Sequence, residues 1–231
     1  MDSLLVQSFA RSGIAGKVED KRLVLNGLHF HYRDWGDAGY PAIVILHGFT
    51  HHSHVWDTLA SKLQQSFHVL VLDQRGHGET EWSTDYSDET MLNDFEAFTL
   101  ALDLEKFVLL GHSMGGSIAY VFAARHPNRV EHLILIESGP PLPGEAAGST
   151  APSVEKAAES FHNTEEAVQF VRTIFPMAQE TELRNQIIYN LRREDTNWTW
   201  RYDRKGLRDR YPEISVSNAG NCFPQFPALL S

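Results

Sequence analysis

The sequence predicts an α/β fold in which a mostly parallel sheet carries helices on both faces and is followed by a helical insert. Short apolar runs alternate with segments of helical spacing as far as residue 139. Continuous apolar runs are typical of strands buried on both faces, and repeated strand–helix–strand units favour a parallel sheet. The predicted buried strands are Ala42–Leu46, Val69–Leu72, Phe107–Leu110 and Leu133–Ile136.

Local patterns predict the elements around these strands. Asn26-Gly27 separates Lys21–Leu25 from Leu28–Tyr32, and this dipeptide between two strand-like segments indicates a β-hairpin. Apolar residues at helical spacing indicate the helices. The predicted helices are Val55–Leu63, Thr90–Leu104 and one beginning near Met114.

The pattern changes at residues 139–144, a Gly- and Pro-rich stretch that interrupts any strand or helix. Only helical patterns follow it, at Val154–Phe161, Glu165–Phe175 and Glu182–Arg192. We therefore divide the chain into a core at 1–139, a helical cap at 140–211 and an irregular tail at 212–231. Within the tail, residues 226–230 could begin another strand.

Composition and charge exclude several classes of partner. The formal net charge is −10, from 30 acidic and 20 basic residues, and such a chain repels phosphate backbones and anionic lipid headgroups. We expect no nucleic-acid partner and no membrane partner. Cys222 is the single cysteine, and residues 1–16 lack the pattern of a secretory signal. These features favour a cytoplasmic location.

The most informative motif is G-x-S-x-G, formed by Gly111, Ser113 and Gly115 and followed by Gly116. It stands between a predicted buried strand and a predicted helix. A serine on such a tight strand-to-helix turn adopts a strained backbone, and its neighbours must be small to avoid a collision. The serine hydroxyl then projects into a cleft at the end of the sheet. An ordinary strand-to-helix turn with an exposed serine is the alternative that the pattern disfavours.

A second motif follows the Ala42–Leu46 strand, where Gly48 would let the backbone approach a bound substrate closely. The amide of Phe49 is then a candidate donor to a developing oxyanion, and the amide of Met114 is the other. A plain glycine turn is the alternative. A third motif, DQRGHG at residues 73–78, follows the next strand, and we interpret it as a structural turn.

Taken together, HGF at 47–49, DQRGHG at 73–78 and GHSMGG at 111–116 resemble the α/β-hydrolase fold-1 superfamily. The similarity points to its carboxylesterase, enol-lactonase and carbon–carbon bond hydrolase branch, and it covers residues 21–139. It implies Ser113 as nucleophile, the Phe49 and Met114 amides as the oxyanion hole, and no cofactor. The segment 198–203 resembles the end of that branch's cap. Related branches that act on epoxides and haloalkanes carry aspartate at the serine position, so Ser113 disfavours them.

The resemblance also implies a triad that runs Ser, then Asp or Glu, then His after the last strand. All twelve histidines lie at or before His162, so no catalytic histidine is found. We expect an incomplete sheet whose last strands, with the usual acid and base, are missing. Glu137 follows the Leu133–Ile136 strand and is a candidate acid, although a structural carboxylate bonded to loop amides is the alternative that we favour.

Other histidines lie near the motifs. His112 adjoins Ser113, but we expect its side chain to point away from the nucleophile's cleft. Three loop histidines, His51, His52 and His54, would be needed for a metal site. They have no carboxylate or cysteine partner in the pattern, so we expect no metal.

These observations predict a serine hydrolase that acts on a small carboxylic ester or lactone through an acyl-enzyme. Without a base and with an unpaired apolar edge strand, we expect negligible turnover and poor solubility. Two alternatives remain open at this point. One is a non-catalytic hydrolase-fold protein that binds a small ligand in the cap, and the other is a carbon–carbon bond hydrolase, with which residues 201–203 are compatible.

Overall fold

The computed structural model describes residues 18–139 and 158–210. A six-stranded sheet runs in the order β1-β2-β4-β3-β5-β6, in which β3, β4, β5 and β6 are parallel and β1 and β2 are antiparallel to their neighbours. Its strands are β1 (Val18–Leu25), β2 (Leu28–Trp35), β3 (Ala42–Leu46), β4 (His68–Leu72), β5 (Phe107–His112) and β6 (Val130–Ile136).

Helices connect the parallel strands, as the sequence predicts. A short 3-10 helix (Ser53–Trp56) leads into α1 (Asp57–Leu63), which connects β3 to β4. The helix α2 (Asp88–Ala101) connects β4 to β5, and α3 (Met114–Arg125) connects β5 to β6. The hairpin between β1 and β2 is confirmed, with Asn26 and Gly27 both at positive φ (49° and 80°).

Successive side chains of the central strands point to opposite faces of the sheet, and each face has its own hydrophobic core. In β3, Val44 and Leu46 join the cluster that contains the aromatic residues of α2 and α3, while Ile43 and Ile45 join the cluster beneath α1. Because both faces are covered by helices, the strand is apolar at every position, as expected for a parallel sheet.

Residues 158–210, here called the cap segment, differ from the all-helical prediction. They contain the helices α4 (Thr164–Ile174), α5 (Glu180–Asn190) and α6 (Arg204–Arg210), together with a three-stranded antiparallel sheet in the order β7-β9-β8. The strands are β7 (Ser160–Phe161), β8 (Leu191–Glu194) and β9 (Asn197–Trp200).

The expectation of helices alone was therefore wrong for the cap segment. The turn between β8 and β9 is formed by Asp195 at φ 52° and Thr196, and aspartate tolerates this left-handed conformation through local hydrogen bonding. Trp200 then packs on Phe161 and Tyr202. The predicted helix over Val154–Phe161 is not seen in its described part, where β7 lies instead. The predicted start of the cap at 140–157 and the tail at 212–231 lie outside the described residues.

Among the described residues, no helix has both the length and the apolar character needed to cross a membrane.

Candidate active site

Ser113 stands on a sharp bend between β5 and α3, with φ 49° and ψ −116°. Such a backbone is costly for a residue other than glycine and persists where its surroundings hold it in place. The Ser113 amide donates to the Ile136 carbonyl oxygen at 2.9 Å, which ties the bend to β6. Within the described residues, the Ser113 hydroxyl makes no hydrogen bond. The bend predicted from the motif is therefore present. Among the described residues, the Ser113 hydroxyl has no hydrogen-bond partner there.

The motif glycines make close backbone approaches at this bend. A methyl group on Gly111 would lie 2.6 Å from the Gly115 carbonyl oxygen, and one on Gly115 would lie 2.5 Å from the His47 carbonyl oxygen. A methyl group on Gly116 would meet the side chain of Ser138. These distances are shorter than carbon atoms tolerate, so each position requires glycine for α3 to pack against the ends of β3, β5 and β6.

The two predicted oxyanion donors come from different segments that meet at Ser113. Met114 is the first residue of α3, so its amide is one of those that a helix leaves without an intrahelical partner. Phe49 follows Gly48, where a methyl group would lie 3.3 Å from Ser113 Cβ. The Phe49 ring packs against both the core and the cap segment. The loop after β3 and the start of α3 therefore lie on either side of the serine.

His47 holds the loop after β3 in place. Its Nε2 accepts from the Gln74 amide at 3.0 Å, so Nδ1 carries the hydrogen and donates to the Gly48 carbonyl oxygen at 2.9 Å. Burial lowers the pKa of His47 to about 3, so the ring is neutral at neutral pH. The Gln74 side chain also donates to the His47 carbonyl oxygen at 2.6 Å. This contact joins the loops after β3 and β4, and the sequence motifs alone did not predict it.

The first residue of the DQRGHG segment forms a buried ion pair with a histidine of β2. Asp73 Oδ2 lies 2.7 Å from His31 Nδ1, and both side chains are 1% exposed. Asp73 also accepts from the amides of Ser53 at 2.5 Å and Glu79 at 3.0 Å. Burial raises the pKa of Asp73, but the hydrogen bond and charge of His31 outweigh it and hold that pKa well below its usual range. The segment thus anchors the loop after β3 to the neighbouring strand β2.

Glu137 and His112 contact each other beside the bend. Glu137, at φ 49°, has a side chain that is 82% exposed, and its Oε2 lies 3.3 Å from His112 Nε2. The His112 ring packs between His51 and Trp56, with its Nδ1 edge against Gly48. The structure thus places the predicted candidate acid against a histidine, and among the described residues the Glu137 side chain makes no hydrogen bond to Ser113.

The loop histidines do not converge on one point. His52 Nε2 lies 3.1 Å from the Gln186 carbonyl oxygen in α5, whereas the His54 ring stacks on Tyr189 at 3.5 Å between centroids. His51 instead stacks on His112. Between residues 18 and 139 and between 158 and 210, no group of three or more His, Cys, Asp and Glu side chains could hold a metal ion.

The cap segment lies over the loops that surround Ser113. Asn190 Nδ2 donates to the Thr50 carbonyl oxygen at 2.8 Å, next to Phe49. The Tyr86 hydroxyl donates to Asp203 Oδ2 at 2.7 Å and is buried with it. Burial raises the pKa of Tyr86 well above its ordinary value, so the hydroxyl stays protonated as the donor. These contacts fix the cap segment over the loops after β3 and β4.

Several relatives at the sequence level are named hydrolases. A diacylglycerol lipase of Mus musculus, named sn-1-specific diacylglycerol lipase ABHD11, is 30% identical over 196 residues, which cover 82% of this chain and 62% of the lipase. Esterase Rv0045c of Mycobacterium tuberculosis is 28% identical over 214 residues, covering 87% of this chain and 69% of the esterase. Epoxide hydrolase 3 of Xenopus tropicalis is 32% identical over 123 residues, covering 52% of this chain. The chain spans 34% of the length of that epoxide hydrolase.

Solved structures and a family model agree on the fold. The crystal structure of E-2-(acetamidomethylene)succinate hydrolase matches with a TM-score of 0.75 at 20% identity, over 83% of this chain and 71% of that one. The thioesterase domain from the curacin biosynthetic pathway matches with a TM-score of 0.71 at 24% identity, over 84% and 73%. The family model described as alpha/beta hydrolase fold matches residues 41–215, well over half of the sequence. The chain therefore belongs to the α/β-hydrolase fold family.

Proposed function

We propose that the chain hydrolyses small carboxylic esters or lactones and that Ser113 is its nucleophile, in place of the negligible turnover expected from the sequence. The observation that supports this most directly is the strained bend at Ser113, which the packing of the flanking glycines and the hydrogen bond to Ile136 hold in place. A hydroxyl held there, with no hydrogen-bond partner among the described residues, is available for attack on a carbonyl carbon. The product would be an acyl-enzyme that water then releases.

The amides on either side of Ser113 supply the second requirement of acyl transfer. Attack on an ester places negative charge on the former carbonyl oxygen, and fixed donors stabilise that charge without reorganisation. In our proposal, the Met114 amide and the Phe49 amide are these donors. The N-terminus of α3 adds a favourable dipole at the same place.

Esters fit a serine nucleophile better than epoxides, although epoxide hydrolases are among the relatives. A serine that opened an epoxide would form an ether with the substrate, and water does not readily cleave that bond. A serine that attacks an ester forms a second ester, which water cleaves under the same catalysis. The chemistry of the residue at position 113 therefore favours the activity named for the esterase and lipase relatives.

The test is hydrolysis of p-nitrophenyl butyrate and of a small lactone by the purified chain, compared with Ser113→Ala. We expect Ser113→Ala to remove all enzyme-dependent hydrolysis. A fluorophosphonate probe should label the wild-type chain, and mass spectrometry should locate the label on the peptide that contains Ser113. Ser66→Ala, an exposed serine on a distant turn, is the matched control and should keep full activity.

Hydrolysis that persists in Ser113→Ala, or a label on another serine, would contradict the proposal. Binding of an ester without turnover or labelling would instead favour a protein that only binds small ligands.

A further inference from the structure

The peptide group between Gly48 and Phe49 carries one of the two oxyanion donors of the proposed function. It is trans and therefore planar, so its N–H points in the direction opposite to its C=O. Contacts that fix the Gly48 carbonyl oxygen therefore also fix the direction of the Phe49 N–H. The orientation of this donor can be followed through the hydrogen bonds that the Gly48 carbonyl oxygen accepts.

Two groups of the same loop donate to the Gly48 carbonyl oxygen. His47 Nδ1 lies 2.9 Å from it, and the His51 amide nitrogen lies 3.1 Å from it. A carbonyl oxygen has two lone pairs, so these two contacts use its capacity in full. Hydrogen bonds to the oxygen also polarise the peptide group, which makes its N–H a stronger donor. The Phe49 N–H is thereby both oriented and polarised.

The backbone of Gln74 determines which nitrogen of His47 carries the hydrogen. Its amide donates to His47 Nε2 at 3.0 Å, which leaves the hydrogen on Nδ1. Burial lowers the pKa of His47 to about 3, so the neutral ring persists at the pH of an esterase assay. The opposite tautomer would turn a lone pair of Nδ1 toward the Gly48 carbonyl oxygen and lose both contacts. The Gln74 amide therefore keeps His47 as a donor to the peptide group that carries the Phe49 N–H.

The side chain of Gln74 fixes the preceding peptide group of the loop. Gln74 is buried, and its Nε2 donates to the His47 carbonyl oxygen at 2.6 Å. A methyl group on Gly115 would lie 2.5 Å from the same carbonyl oxygen, so this oxygen packs against the first turn of α3. Met114, the other proposed oxyanion donor, precedes Gly115 in that turn. Gln74 therefore holds the loop after β3 against the turn that carries the second donor.

We propose that Gln74 is a positioning residue for the oxyanion hole and that it acts through His47 on the Phe49 amide. This inference rests on the proposed ester hydrolysis. Negative charge that develops on the carbonyl oxygen of the substrate then meets an N–H that is already fixed, and no free energy is spent on turning it. The DQRGHG segment, interpreted from the sequence as a structural turn, contributes to catalysis through its second residue.

The experiment compares Gln74→Met with wild type, because methionine matches glutamine in length but has no N–H to donate. The readouts are kcat/KM for p-nitrophenyl butyrate and the inhibition constant of a trifluoromethyl ketone, whose adduct with the serine places an oxyanion in the site. Both are expressed per active site titrated with a fluorophosphonate. Removing an oxyanion donor costs about a hundredfold or more, and Gln74→Met only loosens one, so we expect kcat/KM to fall and the inhibition constant to rise by about tenfold. Gln65→Met, at an exposed glutamine on the turn after α1, is the control and should change neither.

Gln74→Glu separates positioning from stability and serves also if Gln74→Met does not fold. The new carboxyl group donates its O–H to the His47 carbonyl oxygen when protonated and repels that oxygen when ionised. Because burial raises the pKa of a carboxyl group, the protonated form gains population as the pH falls. The kcat/KM of Gln74→Glu per titrated site, divided by that of wild type, should therefore rise between about pH 8 and about pH 5.5.

Two results would count against these roles, and they differ from each other. If the Gln74 variants have fewer titrated sites but unchanged kcat/KM, inhibition and pH dependence per site, Gln74 is structural only and the inference is overturned, while Ser113 remains the nucleophile. If wild type shows no Ser113-dependent turnover, the proposed function fails and the inference fails with it.

Discussion

Replacing Asp73 by Asn should destabilise the fold by up to about 3 kcal/mol, and the loss should depend on pH. The Asp73 carboxylate accepts from His31 Nδ1 at 2.7 Å, and also from the amides of Ser53 and Glu79. An Asn side chain keeps the shape but presents an NH₂ group to at least one of these donors. The buried His31 would also lose its charged partner.

The magnitude follows from the titration of His31. Burial lowers its pKa, but the hydrogen bonds to Asp20 and Asp73 outweigh burial and raise the pKa from 6.5 to about 9. A difference of this size between the folded and unfolded chain corresponds to roughly 3 kcal/mol. Because the hydrogen bond to Asp20 contributes to it and remains in Asp73→Asn, this figure is the upper limit of the loss. Because the folded pKa is the higher one, the stabilisation is complete below the unfolded value of 6.5 and disappears as the pH rises through about 9.

Urea unfolding followed by tryptophan fluorescence checks this at two pH values, near pH 6 and near pH 9.5. We expect Asp73→Asn to lose up to about 3 kcal/mol of unfolding free energy near pH 6 and clearly less near pH 9.5, where His31 is mostly neutral in the wild-type protein as well. Asp103→Asn, at an exposed position with φ 50° that asparagine tolerates, is the matched control. An equal loss at both pH values would show that the ion pair is not the source of the stability.

Three further predictions concern the bend, the cap segment and the sheet edge. Gly115→Ala should cost about 1–3 kcal/mol in urea unfolding and abolish fluorophosphonate labelling, because its methyl group would meet backbone 2.5 Å away; Gly139→Ala, with nothing within 4 Å, should have no effect on either measurement. Tyr86→Phe leaves Asp203 Oδ2 without its donor and should cost about 1–3 kcal/mol and speed proteolysis of the cap segment, whereas Tyr40→Phe, at an exposed site, should not. Ile134→Lys, on β6, the last strand of the sheet among residues 18–139 and 158–210, should reduce light scattering by concentrated protein, and equal scattering would contradict an association through this strand.

Patterns along the sequence predicted the sheet well where burial alone decides the structure. The strand at Ala42–Leu46 has the predicted bounds. A continuous apolar run of this length is buried at every position when it is a central strand with helices on both faces of the sheet. Helix ends were less accurate. The helix predicted over Thr90–Leu104 runs over Asp88–Ala101, since the Ser87 hydroxyl caps its first turn and Asp103 at φ 50° ends it. The first of these is a side-chain hydrogen bond and the second is a backbone conformation, and the spacing of apolar residues predicts neither.

The cap segment shows a different limit of the sequence patterns. The sequence patterns predicted helices alone for this segment, yet residues 191–200 form the hairpin β8–β9. The tryptophans of β9 decide this, because Trp200 packs edge-on against Phe161 of β7 at 5.3 Å, a contact between residues distant in sequence. The spacing of apolar residues could not distinguish these outcomes, since the choice depends on a partner strand 30 or more residues away along the chain.

At the candidate site, the motifs located Ser113 and its glycines, but strand alternation gave no position for the His112 ring relative to the loop after β3. That position depends on how the loop folds back. Thr50 adopts φ 63°, and the His51 amide donates to the Gly48 carbonyl oxygen at 3.1 Å, which brings His51 over the end of β5. A stacked imidazole then holds His112 against Gly48, beside the serine. A side-chain position that arises this way has no signature spacing in the sequence, because it depends on a turn in one loop and a strand end in another.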